Sequence, residues 1–508
     1  MVQAMSVPGS APGCGPGVSR VAAALLPSFG LVVFAVTLFH VLFLARGTET
    51  LFRDSDTGWH IRNGEAIWDS GAVPRVDRFS YTRQGSPWFA WEWLSDLAFG
   101  VAHRAAGLAG VAFLAALSIS LTAWAVARAA LFMGGNFFLT AAAMVVLLSV
   151  TSIHWMARPH IFSWPMSLLF LVAAESERQR PGRILYGMPP AACLWANLHG
   201  SFLVGPVILF LYALEEAWRN RSPQKLWNRF AAAGVVSLGA TLFNPYGWEL
   251  HRHIFAYLRN HYLMDHIAEF RSFSFHSPGA FYVELFLVGA ILCVPVMGGQ
   301  GRWAAVLLTL GMLHLSLFSA RHLPMAAVLV LPLMAAALTQ EARRRSTLLS
   351  LINYSERLLQ IDRRVRGLVP LAAVICAALL GLGASERAGR LGFSPGKFPV
   401  EAARFLEASG RNDRLFTKDQ WGGYLIYRFN GRTQVFLDGR SDFYGREMLE
   451  TYARVMEVKP GWESVLKEYK VGLVLTAPDQ PLAAVLHLSP EWKRIHEDPV
   501  AVVFERSA

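Results

Sequence analysis

Charge and cysteine are the scarce ingredients of this sequence. Only 16% of its 508 residues are charged, against about a quarter in soluble globular chains. The shortage lies almost entirely before residue 390, which excludes a string of ordinary soluble domains there. Four cysteines are too few for a disulfide framework. Cys14 sits in the N-terminal tail, while Cys193, Cys293 and Cys376 fall inside apolar runs. The region after residue 390 has none, so it has to be stable without disulfides, and no zinc-ligand spacing occurs anywhere.

What the sequence has in excess is hydrophobic residues, at 54%. Apolar runs recur at 21–45, 91–106, 108–131, 137–155, 161–175, 184–197, 201–217, 230–243, 279–297, 303–319, 322–339 and 368–384. Many approach the ~20 residues that cross a hydrocarbon core of about 30 Å. The formal net charge of +11 does not imply nucleic acid, because arginine concentrates between apolar runs. Arg219, Arg221, Lys225 and Arg229 form one such segment; Arg343, Arg344, Arg345, Arg357, Arg363, Arg364 and Arg366 form another. Positive charge placed this way holds loops on the cytoplasmic side.

If the N-terminus and the segments 176–183, 218–229 and 340–367 are all cytoplasmic, an odd number of spans lies between Ala45 and Glu175. The run 91–106 carries Glu92, Asp96, His103 and Arg104, so it is the one that fails to cross and lies at the surface. The expectation is a polytopic α-helical membrane protein of about eleven spans with a C-terminal soluble α/β domain. Residues 1–20, rich in Gly and Pro, form a disordered cytoplasmic tail. Residues 21–390 form the membrane region, starting with an uncleaved anchor and a first outer loop at 46–107. Residues 391–508 form the extracytoplasmic domain, and the host membrane is the inner one.

This topology puts the unusual polar clusters on one outer face: Arg53–Asp56, Trp91–Glu92, Arg158–His160, Asn197–His199, Asn244–Trp248, His251–His276 and Arg321–His322. In Arg53-Asp54-Ser55-Asp56, an extended backbone would point Asp54 and Asp56 to one side. There they could share a cation such as Mg or Mn, or act on a substrate hydroxyl; an ordinary helix N-cap before 59–69 is the alternative. Trp88, Trp91 and Trp93 read as interfacial anchors, but Glu92 among them needs a partner. Arg158 with His160, and Arg321 with His322, could grip a substrate phosphate or bind lipid headgroups. His199 interrupts an apolar stretch. His251, His253, His261 and His266 fall in an expected loop, with spacing poor for a metal.

After residue 399 the pattern becomes that of an α/β unit. A helix is expected at 399–409, strands at 414–417, 424–429, 434–437, 471–476 and 500–505, and helices at 445–457 and 461–469. Trp421-Gly422-Gly423-Tyr424 and Asp438-Gly439-Arg440-Ser441-Asp442 are its polar and aromatic loops, either plain turns or sugar-stacking surfaces.

A first span, an acidic outer loop with interfacial helices, many further spans and an outer C-terminal domain together resemble the GT-C glycosyltransferases. These include protein mannosyltransferases, aminoarabinose transferases and oligosaccharyltransferases. The matching residues are Asp54 and Asp56 in the loop, and Ala320-Arg321-His322-Leu323-Pro324, similar to an Arg-Tyr-Leu-Pro helix start. The resemblance implies inverting transfer from a polyprenyl-phosphate sugar to an extracytoplasmic acceptor. Asp54, and after it Asp56, would deprotonate the acceptor or bind a metal; Arg321, His322, Arg158 and His160 would stabilise the departing phosphate. Glu92 and His199 would bind substrate. Trp91-Glu92-Trp93-Leu94 stands where some members carry His-Pro-Pro, which leaves donor and acceptor open. No Trp-Trp-Asp sequence of the oligosaccharyltransferase kind is present. The competing classes are a lipid-linked saccharide transporter, which should show repeats and midplane charges, and a non-catalytic scaffold.

Overall fold

The computed structural model describes residues 19–44, 46–219, 226–345, 348–411 and 413–507. Most of the expected N-terminal tail, with Cys14, and the basic residues Arg221 and Lys225 lie outside the described residues. Among the described residues, seven helices are long and apolar enough to cross a membrane: Val21–Phe43, Trp93–Phe132, Phe137–His154, Gly200–Arg219, Ala280–Gly299, Ala320–Arg343 and Leu368–Arg387. The apolar helix Trp303–Phe318 is shorter. The expectation of about eleven spans includes four more runs: 303–319, 184–197 and 230–243, whose helices are short, the last two with 11 and 15 residues, and 161–175, whose helix His160–Gln179 is too polar to count among them.

Helix 320–343 is the centre of the bundle, with 83% of its apolar window buried, whereas Leu368–Arg387 has 11% buried. The difference follows from position: the first is packed by helices on several sides, and the second packs mainly against the N-terminal helices and segment Trp93–Phe132. Ala326, Ala327, Ala335, Ala336 and Ala337 let neighbouring helices approach the first, while Leu368 and Leu380 of the second face outward. The run 91–106 continues into the next one as the single segment Trp93–Phe132, broken at Ala106 and at Gly107, whose φ of 56° no β-carbon residue adopts comfortably. Its first part packs against the helix Asp56–Ser70. There Gly64 and Gly100 leave backbone against backbone, and a Cβ on Gly64 would meet the Asp96 carbonyl oxygen at 1.7 Å.

After residue 390, four strands form one sheet in the order β1-β2-β4-β3, with β1 Leu415–Thr417, β2 Leu473–Thr476, β3 Trp492–Glu497 and β4 Val502–Arg506. β1 and β2 are parallel; the other pairs are antiparallel. The expected strand at 424–429 is instead the end of the helix Asp419–Phe429. Its alternation was misleading because Trp421, Tyr424, Leu425 and Phe429 are buried at helical spacing. The expected strand at 434–437 makes only isolated bridges, through Val435 to Ser80 and Leu415. β3 and the helix Pro481–Leu488 were not foreseen.

The two regions interlock. Val435 N–H donates to the Phe79 carbonyl and Tyr81 N–H to the Val435 carbonyl. Helix Asp419–Phe429 lies on helix Asp56–Ser70 so closely that a Cβ on Gly58 would sit 2.2 Å from the Gly423 carbonyl oxygen.

Candidate active site

The acidic motif after the first apolar helix turns directly into helix Asp56–Ser70. Asp54 Oδ1 accepts the Asp56 N–H at 2.9 Å, so Asp54 closes the turn and Asp56 is the first helical residue. Both carboxylates still reach one cation. The Arg158 guanidinium lies 2.8 Å from Asp54, 3.2 Å from Asp56 and 2.7 Å from Glu269. Arg321 stands 4.0 Å from the other oxygen of Glu269.

Asp56, Glu92, Arg158 and Arg321 line one cavity of about 50 Å³, with Trp59, Trp88, Phe89, Trp91 and Tyr257 as aromatic wall and Gly439, Arg440 and Asp442 from the C-terminal region. Asp54 is behind this lining, joined to it through Arg158. Gly439 is pressed onto Asp56: a Cβ there would fall 2.0 Å from Asp56 Oδ1. Trp88, expected as an interfacial anchor, is buried, as is Trp59. Trp93 donates from Nε1 to Asn197 Oδ1 at 2.8 Å.

Burial sets the protonation of this site. Glu92 is pushed up to about 8, first by burial and then by Asp96, against the pull of Arg321 and Arg158. Asp56 is likewise raised, by burial and by Asp54, with Arg158 opposing. For Glu269 burial acts upward, but Arg158 and Arg321 hold it below the ordinary carboxylate range. Asp56 and Glu92 are therefore both largely protonated at neutral pH, and the guanidinium groups of Arg158, Arg321 and Arg440 line the same cavity.

The expected histidines divide. His199 approaches Glu92, Nε2 to Oε1 at 3.4 Å, while its Nδ1 is held by Ser163 and Ser201, each at 2.9 Å. His160 and His322 do not line the cavity. His160 Nε2 donates to the His154 carbonyl at 2.8 Å, and His322 starts helix Leu323–Arg343. Both were grouped with their arginine neighbours by sequence adjacency, but consecutive residues at a helix start point in different directions. The stretch expected to be a loop forms helices Trp248–Leu258 and His261–His266. His253 thereby reaches Asp442, at 3.2 Å.

Asp54 and Asp56 do not form a cation site as they stand, because the Arg158 guanidinium joins them and a metal would have to displace it. Among the described residues no group of three or more His, Cys, Asp or Glu side chains is arranged to hold a metal.

Several site residues escaped the sequence reading as site residues. Glu269 was visible only as a charge in the histidine-rich stretch, and Arg440 and Asp442 only as parts of a turn. Asp96 was noted as a reason against a span; it accepts from Asn63 Nδ2 at 2.7 Å and lies 2.5 Å from His60 Nδ1. The usable signal was a buried-type aromatic context around ionisable residues, as at Trp88–Glu92.

No family model matches the sequence, and no curated protein matches it. Solved structures share its fold. ArnT from Cupriavidus metallidurans in the apo state superposes with a TM-score of 0.51 at 17% identity, over 93% of this chain and 96% of that one. The archaeal oligosaccharyltransferase AglB from Archaeoglobus fulgidus, in complex with an inhibitory peptide and a dolichol-phosphate, gives 0.58 at 11% identity, over 88% and 69%. The same enzyme in complex with zinc and sulfate gives 0.54 at 12%, over 88% and 68%. At these identities the likeness is one of fold. This chain has the fold of the GT-C membrane glycosyltransferases.

Proposed function

We propose that the protein is a membrane glycosyltransferase that moves a sugar from a polyprenyl-phosphate donor to an extracytoplasmic acceptor with inversion. The observation that carries this reading is the single cavity holding Asp56 beside Arg158 and Arg321. A buried carboxylate with a raised pKa is a stronger base than an exposed one. In its ionised form, which grows as pH rises towards about 8, Asp56 accepts the acceptor's hydroxyl proton as that oxygen attacks the anomeric carbon. The bond from the anomeric carbon to the phosphate oxygen breaks on the opposite face, so one displacement inverts the centre. Arg158 and Arg321 meet the charge that develops on the departing phosphate. Asp54 holds Arg158 and the start of the helix, which makes it a positioning residue and moves the base from Asp54 to Asp56. Glu92, largely protonated near neutral pH, can donate a hydrogen bond to substrate, with His199 Nε2 3.4 Å away.

The arginine-rich segments support a cytoplasmic N-terminus and an extracytoplasmic cavity in an inner membrane, with residues 21–390 in the membrane and 391–508 outside. In vesicles given radiolabelled polyprenyl-phosphate sugar and an acceptor extract, wild type transfers label to acceptor. Asp56→Asn reduces kcat by about 10²–10⁴, and Asp54→Asn by less. Label carried intact across the membrane without transfer would establish the transporter reading instead.

A further inference from the structure

We infer that Arg440, supplied by the C-terminal region, is a saccharide-binding residue of this cavity, donating a hydrogen bond to a hydroxyl of the substrate sugar. The inference rests on the transferase reading and deepens it. Arg440 is 4% exposed, and its guanidinium is fixed on two sides. Nε lies 2.7 Å from Asp438 Oδ1, and Nη2 lies 2.6 Å from Asp438 Oδ2 and 2.8 Å from Asp77. Tyr444 OH donates to Asp438 at 2.8 Å, and Ser80 Oγ to Asp77 at 2.6 Å, so the carboxylates are themselves locked. The remaining nitrogen, Nη1, is buried without a hydrogen-bond partner, on a residue that lines the cavity. A charged N–H left unpaired in a dry site is costly, and sites of reaction are where such unused capacity is kept.

The surroundings specify what Nη1 receives. The guanidinium lies 4.6 Å from the centre of the Trp88 ring and 5.9 Å from that of Trp59, both cavity residues. Two carboxylates already meet this one cation, so the wall carries no net positive charge and does not attract a second anion. A neutral hydroxyl group presented beside this aromatic wall suits it. The anionic phosphate belongs at Arg158 and Arg321, the other two arginines of the cavity. Nor is the wall a loose cover. Gly439 abuts Asp56, and Gly423 abuts the Ser55 carbonyl oxygen, where a Cβ would be 2.3 Å away. The C-terminal region is therefore built into the site.

The test uses full-length protein in nanodiscs and the polyprenyl-phosphate sugar that wild type transfers, chosen from glucosyl, mannosyl, N-acetylglucosaminyl and aminoarabinosyl donors. Arg440→Lys keeps a cation for Asp438 and Asp77 but removes the third arm of the fork. Donors or acceptors lacking single hydroxyls are then compared. One deoxy position costs wild type about tenfold or more in kcat/KM; Arg440→Lys shows a similar loss on the parent compound and no further loss at that position. A deoxy donor with this pattern makes the ligand the transferred sugar, and a deoxy acceptor makes it the acceptor. Equal deoxy penalties in both proteins, or parent kinetics unchanged in Arg440→Lys, would overturn the inference. If Arg440→Lys melts early, Asp438→Asn/Arg440→Gln, with the cluster's net charge unchanged, takes its place in the same comparison. Should wild type transfer nothing, the transferase reading fails, and saturation-transfer NMR with methyl glycosides decides Arg440 separately. A signal at least halved in Arg440→Lys supports it, whereas an equal or absent signal refutes it.

Discussion

Two ion clusters stand at opposite ends of the helix His160–Gln179, and they are built differently. At one end Arg158 meets Asp54, Asp56 and Glu269 beside the cavity. At the other, Glu175 accepts from Tyr212 OH at 2.5 Å, lies 2.6 Å from Arg178 and lies 2.9 Å from Arg302. Glu215 accepts the Ala304 N–H at 2.6 Å and lies 3.0 Å from Arg219. Both clusters are buried, so burial of charge by itself does not mark a site. The Glu175 cluster ties three helices together, with Arg178 Nε and Arg302 Nε buried without partners and no member on the cavity. The Asp56 cluster leaves Arg321 loosely paired, keeps Glu92 protonated and leaves Arg440 Nη1 unpaired. Both clusters hold unpaired buried nitrogens; what distinguishes the candidate active site from a structural clasp is that its charged residues line a cavity.

Breaking each cluster at its cation should separate the two roles. Arg158→Ala leaves three carboxylates without their shared partner, and we expect transfer to fall by at least about 10³, measured as kcat on folded protein. Arg302→Met removes one partner of a buried pair, and we expect destabilisation of about 3–5 kcal/mol, read from thermal unfolding, while kcat/KM per folded molecule stays at the wild-type value. Loss of kcat/KM there would make the Glu175 cluster part of the chemistry and dissolve the contrast.

Glu92 sharpens the comparison through pH. Its pKa is raised on folding, so its contribution is full below the unfolded value near 4.3 and is lost as pH rises towards about 8. Wild-type stability should therefore fall across that window, by up to about 1.4 kcal/mol per pH unit from this group. Glu92→Gln should flatten that component and keep transfer at pH 7 within about threefold, since the amide replaces a neutral acid. The smallest expected effect is that of chelation. With Arg158 already joining Asp54 and Asp56, EDTA should change the transfer rate by less than about twofold; a larger loss would place a metal in the site.

The sequence made the membrane helices legible because lipid imposes a requirement on every residue of a span, and composition alone records it. Asp54, Asp56, Arg158 and Arg321 were legible as well, since each interrupts an apolar pattern at a helix end. Glu269 and Arg440 were not, because an acidic residue in a polar stretch and an arginine in a turn look like solvent-exposed residues until packing buries them. His160 and His322 lie off the cavity for the converse reason: they adjoin Arg158 and Arg321 in sequence, but the helix start carries their rings elsewhere. The 424–429 segment shows the same limit at the level of secondary structure, since a short aromatic run is compatible with either period until a partner surface selects one.

Local chemistry thus determined that this chain fills a membrane with helices and gathers acids and arginines at their ends. Only tertiary structure decided which of those charges face a shared cavity. That choice depends on close backbone approach, Gly423 on Ser55 and Gly439 on Asp56, between segments about 370 residues apart. Such long-range contacts leave no periodic trace in the sequence, yet they fix the dielectric around Asp56 and Glu92 and hence their protonation.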